Sequence, residues 1–236
     1  MSDTTPAIFE AAIAASPASL REALRETILF AELDDGQLDH IAAAGVVQSF
    51  QRGVVLFEEG AEPGECYLVL SGRVAIAQES GDGRKSLLAV LGPGELFGEM
   101  GFLDGSNRSA QARALEESRV LMVPYEELRH LYENTPSALW SAVQLLARRL
   151  RTMDQALSDT VFLDVMGRTA KRLLDMAGDS DEFEMPLTQE ELAAMVGASR
   201  ERVNKAIHAF VKLGWITHDH RNYKITNRRN LEIRAR

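Results

Sequence analysis

The sequence predicts an α+β chain in three successive parts: an N-terminal antiparallel β-roll, a long unbroken helix and a C-terminal winged helix-turn-helix. Three observations predict it. Eleven of the seventeen glycines fall between Gly53 and Gly105, interleaved with short apolar runs. From Pro136 to Asp164 there is no glycine and no further proline. Between Leu187 and Ile216, "LTQEELAAMVGASRERVNKAIHAFVKLGWI" sets two short helical patterns on either side of a glycine. The expected boundaries are an N-terminal helical segment over 1–45, the roll over 46–133, the long helix over 134–163 and the winged helix-turn-helix over 164–236.

Taken in order, "PASLREALRETILF" and "DDGQLDHIAAAG" read as helical pieces, the second closed by a glycine C-cap. The runs "VVLF", "CYLVL", "VAIA" and "SLLAVL" are strand-like, and glycine clusters separate them. "SGDGRK" is a hairpin turn, because glycine takes positive φ without steric cost. Leu139, Val143, Leu146, Leu150, Met153, Leu157 and Thr160 then follow one another at alternating spacings of four and three. Three such heptads form a narrow apolar stripe flanked by the bases of "ARRLR". That pattern suits a homodimer seam; a face packed within one subunit is the other reading.

"DVMGRTAKRLLDMAG" reads as a helix ending at Gly178, and "DSDEFEM" as a polar link with one short strand. Thr188-Gln189-Glu190-Glu191 fits a capping box, a hydroxyl with a carboxylate three positions on. Gly197 suits a tight turn, Ser199 caps a second helix, and Ala193 is small enough for close helix crossing. On that second helix Val203, Ile207 and Phe210 face inward, while Glu201, Lys205 and His208 share another face with Arg200 at its start. Arginine can bond guanine O6 and N7 together, glutamate can accept from cytosine N4, and lysine can reach guanine or phosphate. Arg200, Glu201, Arg202, Asn204, Lys205 and His208 are therefore candidate DNA-binding residues, together with Thr188, Gln189 and Ser199 at the caps. "GWITHDHRNYKIT" reads as a two-stranded wing around Asp219–Asn222 whose bases suit phosphates.

Charge supports that assignment only when it is read locally. The net charge of −9 argues against nucleic acid, but residues 1–40 hold eight acids against two bases, and residues 200–236 hold ten bases against three acids. No apolar run is long enough to span a membrane, and the first thirty residues lack a basic n-region, so the cytoplasm is the expected location. The single cysteine, Cys66, rules out an iron–sulfur or zinc site of several thiolates, and its strand-like run marks it as a buried thiol. His218 and His220 are two metal donors at most, which is too few for a site. There is no P-loop, no G-x-S-x-G and no H-E-x-x-H, so the chain is not read as an enzyme.

"GEMGFLDGSNRSA", from Gly98 to Ala110, places a carboxylate and a guanidinium nine positions apart. Glu99 and Arg108 can face each other across a turn, or both can face a small ligand carrying hydroxyls and a phosphate. A cyclic phosphodiester bears one negative charge and several acceptors, and arginine is the best single partner for it.

With "GPGELFGEMGFLDGSNRSA", "FLDVMGR" and "LTQEELAAMVGASRERVNKA", the chain resembles the cyclic-AMP receptor protein/FNR family of transcription regulators over about residues 30–232. The resemblance implies a cyclic-nucleotide-binding roll in which Glu99 binds the ribose 2′-hydroxyl, Arg108 neutralises the cyclic phosphate, Ser109 bonds a phosphate oxygen and Gly98 lets the backbone approach. It implies a homodimer on double-stranded DNA, with no cofactor, cyclic AMP as the first-choice effector and RNA polymerase as a partner. It further implies a palindrome of TGTGA-like half-sites read by Arg200, Glu201 and Lys205, with recognition helices brought to a spacing of ~34 Å. The positions that meet the base edge, usually Thr followed by Ser or Asn, hold Met153 and Asp154 here. Asp154 can accept from the adenine amino group or from guanine N1–H and N2–H. Cyclic GMP, cyclic di-GMP and a ligand-independent regulator are the alternatives.

Overall fold

The computed structural model describes residues 16–79, 81 and 85–236. These divide into two compact units. One comprises residues up to Gln78 with Ala89–Leu150, and the other Glu79–Leu88 with Arg151–Arg236.

In the first unit, helix α1 (Pro17–Arg25) is capped by Ser16, whose hydroxyl accepts from the Ser19 N–H, and Pro17 stands where no donor is needed. The helical pattern does not continue to Phe30 as one piece. Thr27 is extended, its hydroxyl donates to the Ala23 carbonyl, and only a 3-10 turn over Ile28–Phe30 follows. Helix α2 (Asp35–Ala44) carries a full capping box between Asp34 and Gln37. Gly45 does close it, but with φ −74°. Glycine is needed there for space, because a Cβ would lie 2.6 Å from the Leu121 side chain.

The roll consists of β1 (Val46–Phe50), β2 (Val55–Phe57), β3 (Glu65–Ser71), β4 (Val74–Glu79), β5 (Lys85–Leu91), β6 (Leu96–Phe97), β7 (Gln111–Ala114) and β8 (Ser118–Pro124). They form two sheets, ordered β1-β8-β3-β6 and β2-β7-β4-β5. β3 is apolar without alternation because both of its faces are buried. Cys66, Leu68 and Leu70 pack toward α1 and α2, while Tyr67 and Val69 meet Val74, Phe97 and Val120. The hairpin turn expected in "SGDGRK" rests on residues 80 and 82–84, outside those described.

Two helices in this unit were not legible in the pattern. A short α3 (Met100–Asp104) follows β6, where the sequence suggests only a loop, and α4 (Tyr125–Asn134) buries Leu128, Leu131 and Tyr132 against the core. A 3-10 turn over Pro136–Ala138 then leads into the long helix α5 (Leu139–Phe162). Its early turns, together with the 3-10 turn before them, carry two stripes. Ala138, Ala142 and Leu145 are buried in the core, while Leu139, Val143, Leu146 and Leu150 are exposed. The heptad stripe is thus not the face that packs on the roll. Farther along, Met153 and Leu157 are exposed as well.

In the second unit, α6 (Val165–Ala177) is capped by Asp164 and ends at Gly178. A three-stranded sheet of order β10-β11-β9 joins β9 (Glu182–Glu184), β10 (Ile216–Asp219) and β11 (Asn222–Ile225), so the polar link supplies a third strand to the expected two-stranded wing. Between them lie α7 (Gln189–Val196) and α8 (Arg200–Lys212), and α9 (Arg228–Arg234) closes the chain against α6. Val203, Ala206, Ile207 and Phe210 of α8 are buried with Leu192, Ala193 and Val196 of α7, in the expected orientation.

Candidate functional site

Gly98, at the end of the β6 edge, has φ +76°. A Cβ on it would lie 2.7 Å from Arg108 Nη1 and 3.1 Å from the Tyr67 ring, so the left-handed turn and the lack of a side chain are both required. This lets the backbone fold over the Arg108 guanidinium. Glu99 begins α3 on one side of the turn, and Arg108 lies after that helix on the other.

Glu99 and Arg108 are 1% and 5% exposed, and they do not pair with each other. Arg108 Nη1 donates to the Gly98 carbonyl at 2.7 Å and to the Tyr125 hydroxyl at 3.0 Å, and Nη2 donates to the Glu65 carbonyl at 2.7 Å. Its guanidinium stacks over Phe57, 4.2 Å from the ring centroid, with the Tyr67 and Tyr125 rings beyond. The nearest carboxylate to it is Glu65, at 4.0 Å and one-third exposed. Glu99 is met instead by Arg149 of α5, whose Nε comes within 2.7 Å of Oε1. Arg149 is thus the charged partner of Glu99, while the Nε atom of Arg108 has no hydrogen-bond partner. Burial raises the Glu99 carboxyl pKa above its ordinary value, against the pull of Arg149 and Arg108.

Gly98, Glu99, Arg108 and Arg149 line one open cavity with Phe57, Ile76, Phe97 and Ser109. Ser109 is exposed at the rim, and Gln78 donates to its carbonyl at 2.7 Å. Glu99 offers acceptor oxygens to the cavity and the two arginines offer donors, a combination that suits a polar, anionic ligand. Met153 and Asp154 are exposed on α5 and are not part of this cavity lining.

Arg149 was missed in the sequence, where it counted only as a base flanking the heptads. The signal was present. Ala138, Ala142, Leu145 and Arg149 repeat at four, three and four, parallel to the exposed stripe, and the last of them carries its charge to the cavity.

In the second unit the helix-turn-helix is built as its residues dictate. The Thr188 hydroxyl accepts from the Glu191 N–H, and Glu191 accepts from the Thr188 N–H. Gly197 takes φ +67°, and Ser199 accepts from the Arg202 N–H. Arg168, whose role the sequence did not reveal, donates to the carbonyls of Leu163 and Val196 and so ties α6 to the end of α7. Arg200, Glu201, Arg202, Lys205 and His208 are all exposed, Asn204 is partly so, and Lys205 pairs with Glu201 at 2.7 Å. Gln189 turns inward and donates to the Tyr223 hydroxyl. In the wing, Arg221 donates to the Met185 and Pro186 carbonyls and Lys224 pairs with Glu182, so both bases brace the sheet.

No helix among the described residues is long and apolar enough to cross a membrane, and no group of three or more candidate metal ligands occurs among them. Residues 47–135 match the cyclic nucleotide-binding domain, and residues 167–234 match the Crp-like helix-turn-helix domain. The chain is 39% identical to the CRP-like cAMP-activated global transcriptional regulator of Mycobacterium tuberculosis, across 79% of this chain and 87% of that one. It is 36% identical to the cyclic AMP receptor protein of Thermus thermophilus, across 70% and 76%. Among solved structures, the c-di-GMP responsive global regulator CLP of Xanthomonas campestris is similar with a TM-score of 0.70 and 25% identity, over 81% of this chain and 99% of that one. The Thermus thermophilus catabolite activator protein is similar with a TM-score of 0.51 and 33% identity, over 89% and 98%.

Proposed function

The chain belongs to the cyclic-AMP receptor protein/FNR family of cyclic-nucleotide-responsive transcription regulators, and from that premise we propose that it is a homodimer switched by cyclic AMP. The observation that carries the effector reading is the convergence of the buried Glu99 and Arg108 and the partly exposed Arg149 on one cavity. The carboxylate nearest Arg108, that of Glu65, stands 4.0 Å away and partly in solvent, so a ligand phosphate supplies the closer anion. Glu99 then accepts from a ribose hydroxyl, and Ser109 bonds a phosphate oxygen from the rim. Met153 and Asp154 are assigned to the base.

The exposed apolar stripe Leu139–Val143–Leu146–Leu150–Met153–Leu157 supports pairing with a second copy along α5. Each subunit then offers α8 to a half-site, with Arg200, Glu201 and Lys205 reading TGTGA-like bases and the effector shifting the helix pair toward a one-turn spacing of ~34 Å. A relative described as cAMP-activated supports cyclic AMP. Asp154 supports a second reading with cyclic GMP, since an ionised carboxylate accepts from both guanine N1–H and N2–H. A relative described as c-di-GMP responsive adds that dinucleotide to the test.

Calorimetric titration with cyclic AMP, cyclic GMP and cyclic di-GMP decides among them, repeated with Glu99→Ala and Arg108→Ala. Cyclic AMP is expected to bind the unaltered protein and to lose its heat in both variants. No heat with any of the three would leave a ligand-independent regulator.

A further inference from the structure

Arg108 is held almost entirely from behind. Neither Tyr125 nor Glu65 lines the cavity, yet both reach its cation. The Tyr125 hydroxyl sits between Arg108 Nη1 and the Gly98 carbonyl, accepting from the first and donating to the second. Burial pushes this phenol up to about 12, so it keeps its proton, and with it both roles, throughout the neutral range. Glu65 contributes its backbone carbonyl to Nη2, and its carboxylate stands 4.0 Å from the guanidinium while accepting a hydrogen bond from the Tyr67 hydroxyl. The phenol therefore fixes where the cation points, and the carboxylate offsets part of its charge.

We propose that Tyr125 and Glu65 are positioning residues for Arg108 and set, with opposite signs, how strongly the cavity takes the phosphate of a cyclic nucleotide. This rests on the nucleotide reading above. Without the Tyr125 hydroxyl, Nη1 keeps only the Gly98 carbonyl, and the guanidinium is held less firmly in its direction toward the phosphate. A neutral amide at position 65 preserves an acceptor for Tyr67 and removes a negative charge that repels the incoming anion.

The test is titration of cyclic AMP into the full-length protein, Tyr125→Phe and Glu65→Gln, at low and at physiological salt, beside thermal melts of the unliganded proteins. Tyr125→Phe is expected to weaken binding about tenfold, the scale of one lost hydrogen bond to a charged group. Glu65→Gln is expected to tighten binding about two- to threefold, with the gain shrinking as salt rises, because the pair is partly exposed. A merely structural role moves both variants the same way, and Glu65→Gln keeps the test decisive if Tyr125→Phe folds poorly. Unchanged affinity in both variants, or weaker binding in Glu65→Gln, would overturn the proposal while leaving the nucleotide reading intact. If the unaltered protein binds no cyclic AMP, the nucleotide reading fails first and this proposal falls with it.

Discussion

The cavity of the roll and the recognition helix both depend on a carboxylate and basic side chains, but they handle charge in opposite ways. Glu99 and Arg108 are buried and held apart, Glu99 beside Arg149 and Arg108 on two backbone carbonyls and the Tyr125 hydroxyl. Glu201 and Lys205 are fully in solvent and neutralise each other across one helical turn. Buried charge is costly unless it is partnered, and the proposed nucleotide would add to the partners the protein already supplies. Exposed charge costs little, so the charged residues proposed to read DNA sit on α8 without weakening the fold. Substitutions in the roll should therefore alter stability and binding together, and those on α8 should alter DNA binding alone.

Arg108→Ala is the most severe test of that contrast. It removes the proposed phosphate partner, deprives the Glu65 carbonyl and the Tyr125 hydroxyl of the Arg108 donor, and leaves the Gly98 carbonyl only its bond from Tyr125. Calorimetry should show about a hundredfold loss of cyclic AMP affinity, and the unliganded protein should melt at a lower temperature. Arg200→Ala should cost about ten- to a hundredfold in affinity for the palindrome, measured by fluorescence anisotropy, with the melting midpoint unmoved. A matching drop in melting temperature would mean that α8 is not the free surface described.

The next effect concerns pH. The folded-state pKa of Glu99 is raised, so between the ordinary carboxylate value and the raised one the folded protein binds more protons than the unfolded chain. Stability from this group is therefore present at low pH and is lost as pH rises through that window. Relative to Glu99→Gln, the unaltered protein should gain melting temperature as pH falls from neutrality toward the carboxylate range. A constant difference would break the claim that Glu99 is held against its ionised form. The smallest effect is expected for Glu201→Gln, which should leave the melting midpoint unchanged at any salt concentration, because that pair is wholly exposed.

The two regions also differed in how much of them the sequence revealed. The helix-turn-helix was legible because its signals are local. The capping box at Thr188, the turn at Gly197 and the cap at Ser199 each act within four residues, and all are in place. In the roll, Gly98 and the buried Glu99 and Arg108 were marked by their motif, but their partners come from far along the chain. Glu65, Tyr125 and Arg149 reach the site only through sheet pairing and helix packing, which no local spacing encodes. Gly45 shows the same limit. It read as a cap, and its actual constraint is Leu121, on a strand that pairs after the chain has turned back. Helix α4 is harder to read because it follows directly on strand β8 at Pro124, with no side-chain cap to mark its start.

The central claim is that filling the cavity controls the grip of α8 on DNA. Its most direct measurement is the affinity for a TGTGA-type palindromic duplex, by fluorescence anisotropy at fixed salt, with and without cyclic AMP, in the unaltered protein and in Arg108→Ala. The account predicts that cyclic AMP tightens binding by the unaltered protein about tenfold or more, a coupling of ordinary allosteric size, and does nothing to the variant. Equal affinity with and without cyclic AMP in the unaltered protein would contradict it.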